Sequence, residues 1–173
     1  MEPLTETSQG NKYIVVAINY FIKYPKAKAL TNANAESVVK FIYEDIICRY
    51  RCSRKIISDR RIHFNNQVIE RLLEWFKIRH NLSIPYHPKT NELIERFNKT
   101  LCESLAKLNE ERENWDNYIL PTLFAYRIKV NRSIQFTPFY LTYEWEVILL
   151  FDENIKAKVT LQDRIKEILT KFT

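Results

Sequence analysis

Apolar positions recur along this chain with two periods, and each change of period marks a new element. Lys12 to Phe21 (KYIVVAINYF) is a continuous β-branched and aromatic run after the turn residues Gln9-Gly10-Asn11, and Ala27 to Leu30 is a shorter run after a break at Pro25. These predict two adjacent strands in a hairpin. From Asn34, an N-cap candidate with Glu36 close behind, Val38, Val39, Ile42, Tyr43, Ile46 and Ile47 recur at helical spacing as far as Tyr50. Lys55-Ile56-Ile57-Ser58 predicts a short strand ending at an aspartate. Asn66 to Lys77 predicts a helix through Val68, Leu72, Leu73 and Phe76, and Ile78 to Ser83 another strand.

Pro85-Tyr86-His87-Pro88 then interrupts the pattern, and its two prolines predict a loop, mobile until a ligand binds, over Pro85 to Asn91. From Asn91 a long helix is expected, with Ile94, Phe97, Leu101, Leu105 and Leu108 as its apolar stripe, ending in the charged cluster Glu110 to Glu113. Trp115 to Val130 predicts a further helix bent or started at Pro121, and Thr137 to Tyr143 a short one. Leu161 to Phe172 predicts an amphipathic terminal helix. Strands first, then helix alternating with strand, then helices alone, describe an α/β domain with a mixed sheet.

Composition changes this picture in several ways. At 173 residues and 46% apolar content the chain is long enough for one buried core, so one fold is expected. A net charge of +6 favours a polyanionic partner, either nucleic acid or an anionic membrane surface. No apolar run approaches the roughly 20 residues of a membrane span, and the acidic start lacks the order of a signal peptide, which together read as an intracellular protein. Gly10 is the one glycine, so turns that need positive φ must be strained or taken over by asparagine. Cys48, Cys52 and Cys102 have neither disulfide nor zinc-site spacing and are read as buried or partly exposed thiols.

The candidate chemistry begins with Asp59, just past a strand, and Glu95, expected in the first turn of the long helix, with 35 residues between them. The spacing alone is weak, because Glu95 also stands one turn before Lys99 and an i,i+4 ion pair would explain it. The surrounding words carry more. Ser58-Asp59-Arg60-Arg61-Ile62-His63-Phe64, then Pro85-Tyr86-His87-Pro88-Lys89-Thr90-Asn91-Glu92-Leu93-Ile94-Glu95-Arg96-Phe97-Asn98, resemble the D,D-35-E integrase core of gypsy-type LTR retrotransposons, more distantly the retroviral integrases. Leu123-Phe124-Ala125-Tyr126-Arg127 and Thr137-Pro138-Phe139-Tyr140-Leu141 continue the resemblance, which covers roughly residues 3 to 150.

The resemblance implies a ribonuclease H-like fold, a mixed five-stranded sheet flanked by helices, in which acidic residues hold two Mg²⁺ (or Mn²⁺) ions. Clustered carboxylates repel until divalent cations neutralise them, and paired metals activate an attacking oxygen. Asp59 and Glu95 would be two of the three acids. The third belongs to a first, central strand before the Gly-Pro-Leu that here reads Glu2-Pro3-Leu4, so most of that strand is expected to be missing. Arg61, Glu92 and Glu144 stand where relatives have glycine, and a side chain at Arg61 or Glu92 is expected to close or strain the site. Asn19 replaces a frequent aspartate of the second strand.

By resemblance the chain divides into a core over 1–150 and a C-terminal extension over 151–173. Its expected role is DNA integration, by DNA 3′-end processing and strand transfer, in the nucleus and as a homo-oligomer, with no membrane partner. Its activity is expected to be impaired, and a catalytically dead DNA-binding or self-associating module is the alternative. DNA contacts are expected from Arg60, Arg61, Tyr86, His87, Lys89, Asn91 and Lys99. Arg60 and Arg61 belong to a basic cluster with Arg49, Arg51, Arg54 and Lys55 that fits DNA phosphates or an ordinary solvated surface equally well.

Overall fold

In a computed structural model, residues 3–50, 54–59, 64, 66–82, 88–108 and 113–149 are described. Strands β1 (Tyr13–Ile18) and β2 (Pro25–Leu30) form the expected antiparallel hairpin, in register from Tyr13 opposite Leu30 to Ile18 opposite Pro25. The turn between them is built on Asn19. Its Oδ1 accepts from the N–H groups of Phe21 and Ile22 at 2.9 and 3.2 Å, and its carbonyl accepts from the Lys23 N–H at 2.9 Å. An acceptor oxygen is what this turn needs, and the asparagine side chain supplies it.

The hairpin lies between two apolar cores, which is why its first strand reads as an unbroken apolar run. Tyr13, Val15 and Ala17 face a cluster containing Val38, Phe41, Ile42, Ile47, Ile69, Leu73 and Ile78. Ile14, Val16 and Ile18 face the opposite cluster of Phe97, Leu101, Leu105, Trp115, Ile119 and Leu123. Fully burying one such side chain contributes about 1.5–3 kcal/mol.

Helix α1 (Ala35–Phe41) starts at Asn34, whose Oδ1 accepts from the Ser37 N–H at 2.9 Å, and runs through a π-helical segment (Ile42–Ile47) into α2 (Cys48–Tyr50). The Cys48 N–H reaches back five residues to the Tyr43 carbonyl. The wider π turn brings Ile42 and Ile47, five apart, into the same core. Strand β3 (Lys55–Ser58) pairs in parallel with β4 (Arg79–Leu82), joined through α3 (Gln67–Trp75), and Asn66 caps that helix by accepting from the N–H groups of Val68 and Ile69. The described strands thus form two two-stranded sheets, β1 with β2 and β3 with β4, and β1 and β3 are not paired with each other.

Helix α4 (Pro88–Leu108) corrects two expectations. Residues 88–91 are helical rather than loop, because a proline at the first helical position lacks only an N–H that would find no intrahelical acceptor and presets φ for the helix. Glu95 is consequently the eighth residue of α4, not part of its first turn. Residues 83–87 lie outside the described residues. After a 3-10 turn (Trp115–Tyr118), α5 (Ile119–Ile128) carries Pro121 as its third residue without breaking, since no ladder bond is lost in a first turn. The short helix at Thr137 to Tyr143 is observed as α6 (Tyr140–Tyr143).

Among the described residues, asparagine does not take the left-handed turn positions. Lys23, Lys77, Gln135 and Glu144 have φ of 56°, 53°, 58° and 62°, beside Gly10 at 78°. Chain direction at these turns is set by the packing of the flanking elements, and ordinary side chains absorb the strain. Cys48 and Cys102 are free and exposed, and Cys52 lies outside the described residues, as does the expected helix over Leu161 to Phe172.

Candidate functional site

Asp59 is the residue at which the chain leaves β3, and its side chain is exposed. The strand end is anchored from the neighbouring strand. Ser58 Oγ donates to the Asp59 carbonyl at 3.1 Å and lies 2.9 Å from His80 Nε2 on β4, so a proton on Nε2 gives this network a donor for every acceptor. Burial depresses the His80 imidazole below its ordinary value, with the Glu70 carboxylate opposing.

Glu95 is also exposed, on α4, where Phe97, Leu101 and Leu105 bury the opposite face. Its i,i+4 neighbour Lys99 is exposed, and no ion pair joins them among the described residues; the pair in this turn is Glu92 with Arg96. Glu92 is therefore a solvated helical residue, and the strain expected from a side chain there is absent, because right-handed helix does not need glycine. Glu144 behaves differently: it sits in left-handed backbone at the end of α6, where a glycine would carry no strain.

Two features escaped the sequence reading. Asn98, one turn after Glu95, keeps its Oδ1 buried with no hydrogen-bond partner among the described residues, at a desolvation cost of about 1–3 kcal/mol. A polar side chain next to Phe97 in an apolar stripe was the available signal. The second is a basic cavity formed by Lys26, Arg49 and Arg127, taken up below. Of the expected DNA contacts, Lys99 is exposed on α4 and Lys89 and Asn91 lie in its first turn, while Arg60, Arg61, Tyr86 and His87 lie outside the described residues. No group of three or more His, Cys, Asp or Glu side chains that could hold a metal ion is gathered among the described residues.

The fold defines the class. A structure of the catalytic core domain of BIV integrase aligns with a TM-score of 0.66 at 23% identity, covering 82% of this chain and 90% of that one. The simian T-cell lymphotropic virus intasome contains a chain that aligns with a TM-score of 0.70 at 20% identity, covering 84% of this chain and 53% of that one. The described domain is ribonuclease H-like, with the fold of retroviral integrase catalytic cores.

Sequence comparison adds the lineage. The chain is 26% identical over 142 residues to the retrovirus-related Pol polyprotein from transposon 412 of Drosophila melanogaster, and 30% identical over 135 residues to the Gag-Pol polyprotein of feline leukemia virus. These alignments cover 82% and 78% of this chain but 12% and 8% of the polyproteins. No family model matches. The chain is a homologue of retroviral and retrotransposon Pol polyproteins, and its domain is the integrase-like core of that lineage.

Proposed function

We propose that this chain is the core domain of a gypsy-type retrotransposon integrase, over 1–150 with an extension over 151–173, that engages DNA in the nucleus as a homo-oligomer. The observation that carries the reading is the placement of Asp59 at a strand end and Glu95 on α4, in a Pol-related chain with an integrase-core fold. In this reading both carboxylates are metal ligands, Mg²⁺ (or Mn²⁺) supplies the charge for phosphodiester chemistry, and Lys89, Asn91 and Lys99 on α4 contact the DNA together with Arg60, Arg61, Tyr86 and His87.

The reading extends to an impaired activity, in which DNA binding outlasts strand transfer. The test is a Mg²⁺- and Mn²⁺-dependent strand-transfer assay run beside a DNA-binding titration, on the parent chain and on Asp59→Asn and Glu95→Gln. Binding without transfer supports the impaired reading. Transfer abolished by both substitutions supports an active integrase, and absence of DNA binding removes both.

A further inference from the structure

Three basic side chains that this chemistry does not use converge on one cavity of about 370 Å³, lined by Tyr24, Lys26, Arg49, Arg127, Thr142 and Tyr143. They come from separate elements: Lys26 from β2, Arg49 from α2 and Arg127 from the last turn of α5. Arg127 is held rigidly, since its Nε and Nη2 donate to the Pro25 carbonyl at 3.2 and 2.9 Å and its guanidinium carbon lies 4.6 Å from the Tyr24 ring centroid. A guanidinium has five N–H donors in a fixed plane, so docking two of them sets the direction of the others. Lys26 Nζ lies 5.9 Å from the same ring centroid, and the hydroxyls of Tyr24 and Tyr143 are 3.4 Å apart at the cavity wall.

The charges here are arranged against one another. Burial, then Arg127 and Arg49, push the Lys26 ammonium down to about 8, with Asp45 opposing. Asp45 is itself shared, at 3.3 Å from Lys28 and 3.8 Å from Arg49. Packing around Tyr24 thus keeps cations together that repel each other, and an anion between them would turn that repulsion into charge-assisted hydrogen bonds.

We infer that this cavity binds a phosphate-type oxyanion, with Arg127 as the fixed guanidinium and Lys26 and Arg49 as the cations that complete the cradle. The inference stands on residues other than Asp59 and Glu95, so its test is read without any strand-transfer assay.

The test is calorimetric titration of the full chain with inorganic phosphate and, separately, with a short DNA duplex, at low salt and pH 7. Saturable phosphate binding is expected with a Kd of about 1 mM or tighter. Lys26→Gln and Arg49→Gln should each weaken it about tenfold, while circular dichroism confirms that both variants fold. Affinity should fall as the pH rises through about 8, as Lys26 loses its proton among Arg127, Arg49, Asp45, Tyr24 and Tyr143. If the same substitutions weaken the duplex and phosphate competes with it, the oxyanion is a DNA phosphodiester. If phosphate binds and the duplex is indifferent to them, it is a free anion. Absence of phosphate binding, or binding unchanged in both variants, overturns the inference.

Discussion

Ser58 Oγ, at the end of β3 and one residue before Asp59, lies 2.9 Å from His80 Nε2 on the parallel neighbour β4. The folded chain holds His80 below its ordinary value of 6.5 through burial, so the unfolded chain takes up this proton at the higher pH. The stability contributed by neutral His80 is complete above about 6.5 and is lost as the pH falls through the lower folded value. Thermal midpoints measured from pH 8 to pH 5 should therefore decline more steeply in the parent chain than in His80→Gln. Parallel declines would show that His80 is not the group responsible.

Glu144 ends α6 at φ 62°, with its N–H donating to the Tyr140 carbonyl at 2.7 Å. Left-handed backbone costs a residue with a Cβ about 1–2 kcal/mol that glycine avoids. We expect Glu144→Gly to raise unfolding stability in urea by about 1 kcal/mol, whereas Glu144→Ala should bring no such gain. Equal stabilities for the two variants would place the strain elsewhere.

The segment preceding the hairpin is clasped to the 3-10 turn through Asp116. Its Oδ2 accepts from Thr7 Oγ1 at 2.9 Å and from Asn11 Nδ2 at 2.7 Å, while Trp115 Nε1 donates to the Thr5 carbonyl at 2.7 Å. Thr7 and Trp115 are buried, so losing the acceptor leaves a desolvated donor behind. Asp116→Ala should cost about 2 kcal/mol and speed hydrogen exchange at the Thr7 and Asn11 amides. Unchanged exchange at both would mean that the clasp does not depend on Asp116.

Asn66 caps α3 with one oxygen serving two backbone donors, at 3.1 Å each. Asn66→Ala should destabilise the chain by about 1 kcal/mol, and Asn66→Asp should keep most of the stability because the acceptor remains. A loss in Asn66→Asp equal to that in Asn66→Ala would contradict a capping role. These effects are readable by chemical denaturation monitored at 222 nm, a wavelength that reports helix.

Much of this was legible in one dimension. The hairpin, the cap at Asn34 and the stripe of Phe97, Leu101 and Leu105 follow from rules acting within a turn or along a strand, where neighbours in sequence are neighbours in space. The words around Asp59 and Glu95 likewise carried the kinship that the Pol polyproteins bear out.

Tertiary packing decided the remainder. Pro88 disfavours helix before it and suits the first position of one after it, so the dipeptide left residues 88–91 open between loop and helix, and they are helix. Left-handed backbone fell to Lys23, Lys77, Gln135 and Glu144 because the elements on either side dictate where the chain must turn, whatever residue stands there. The basic cavity had no local signature at all: Arg127 reaches the Pro25 carbonyl across 102 residues, and Arg49 joins them only because α1 and its π segment lead α2 to that place. Charges so distant in sequence have no reason to meet until burial of the two apolar cores on either side of the hairpin brings their elements together, and that burial also imposes the repulsion felt by Lys26.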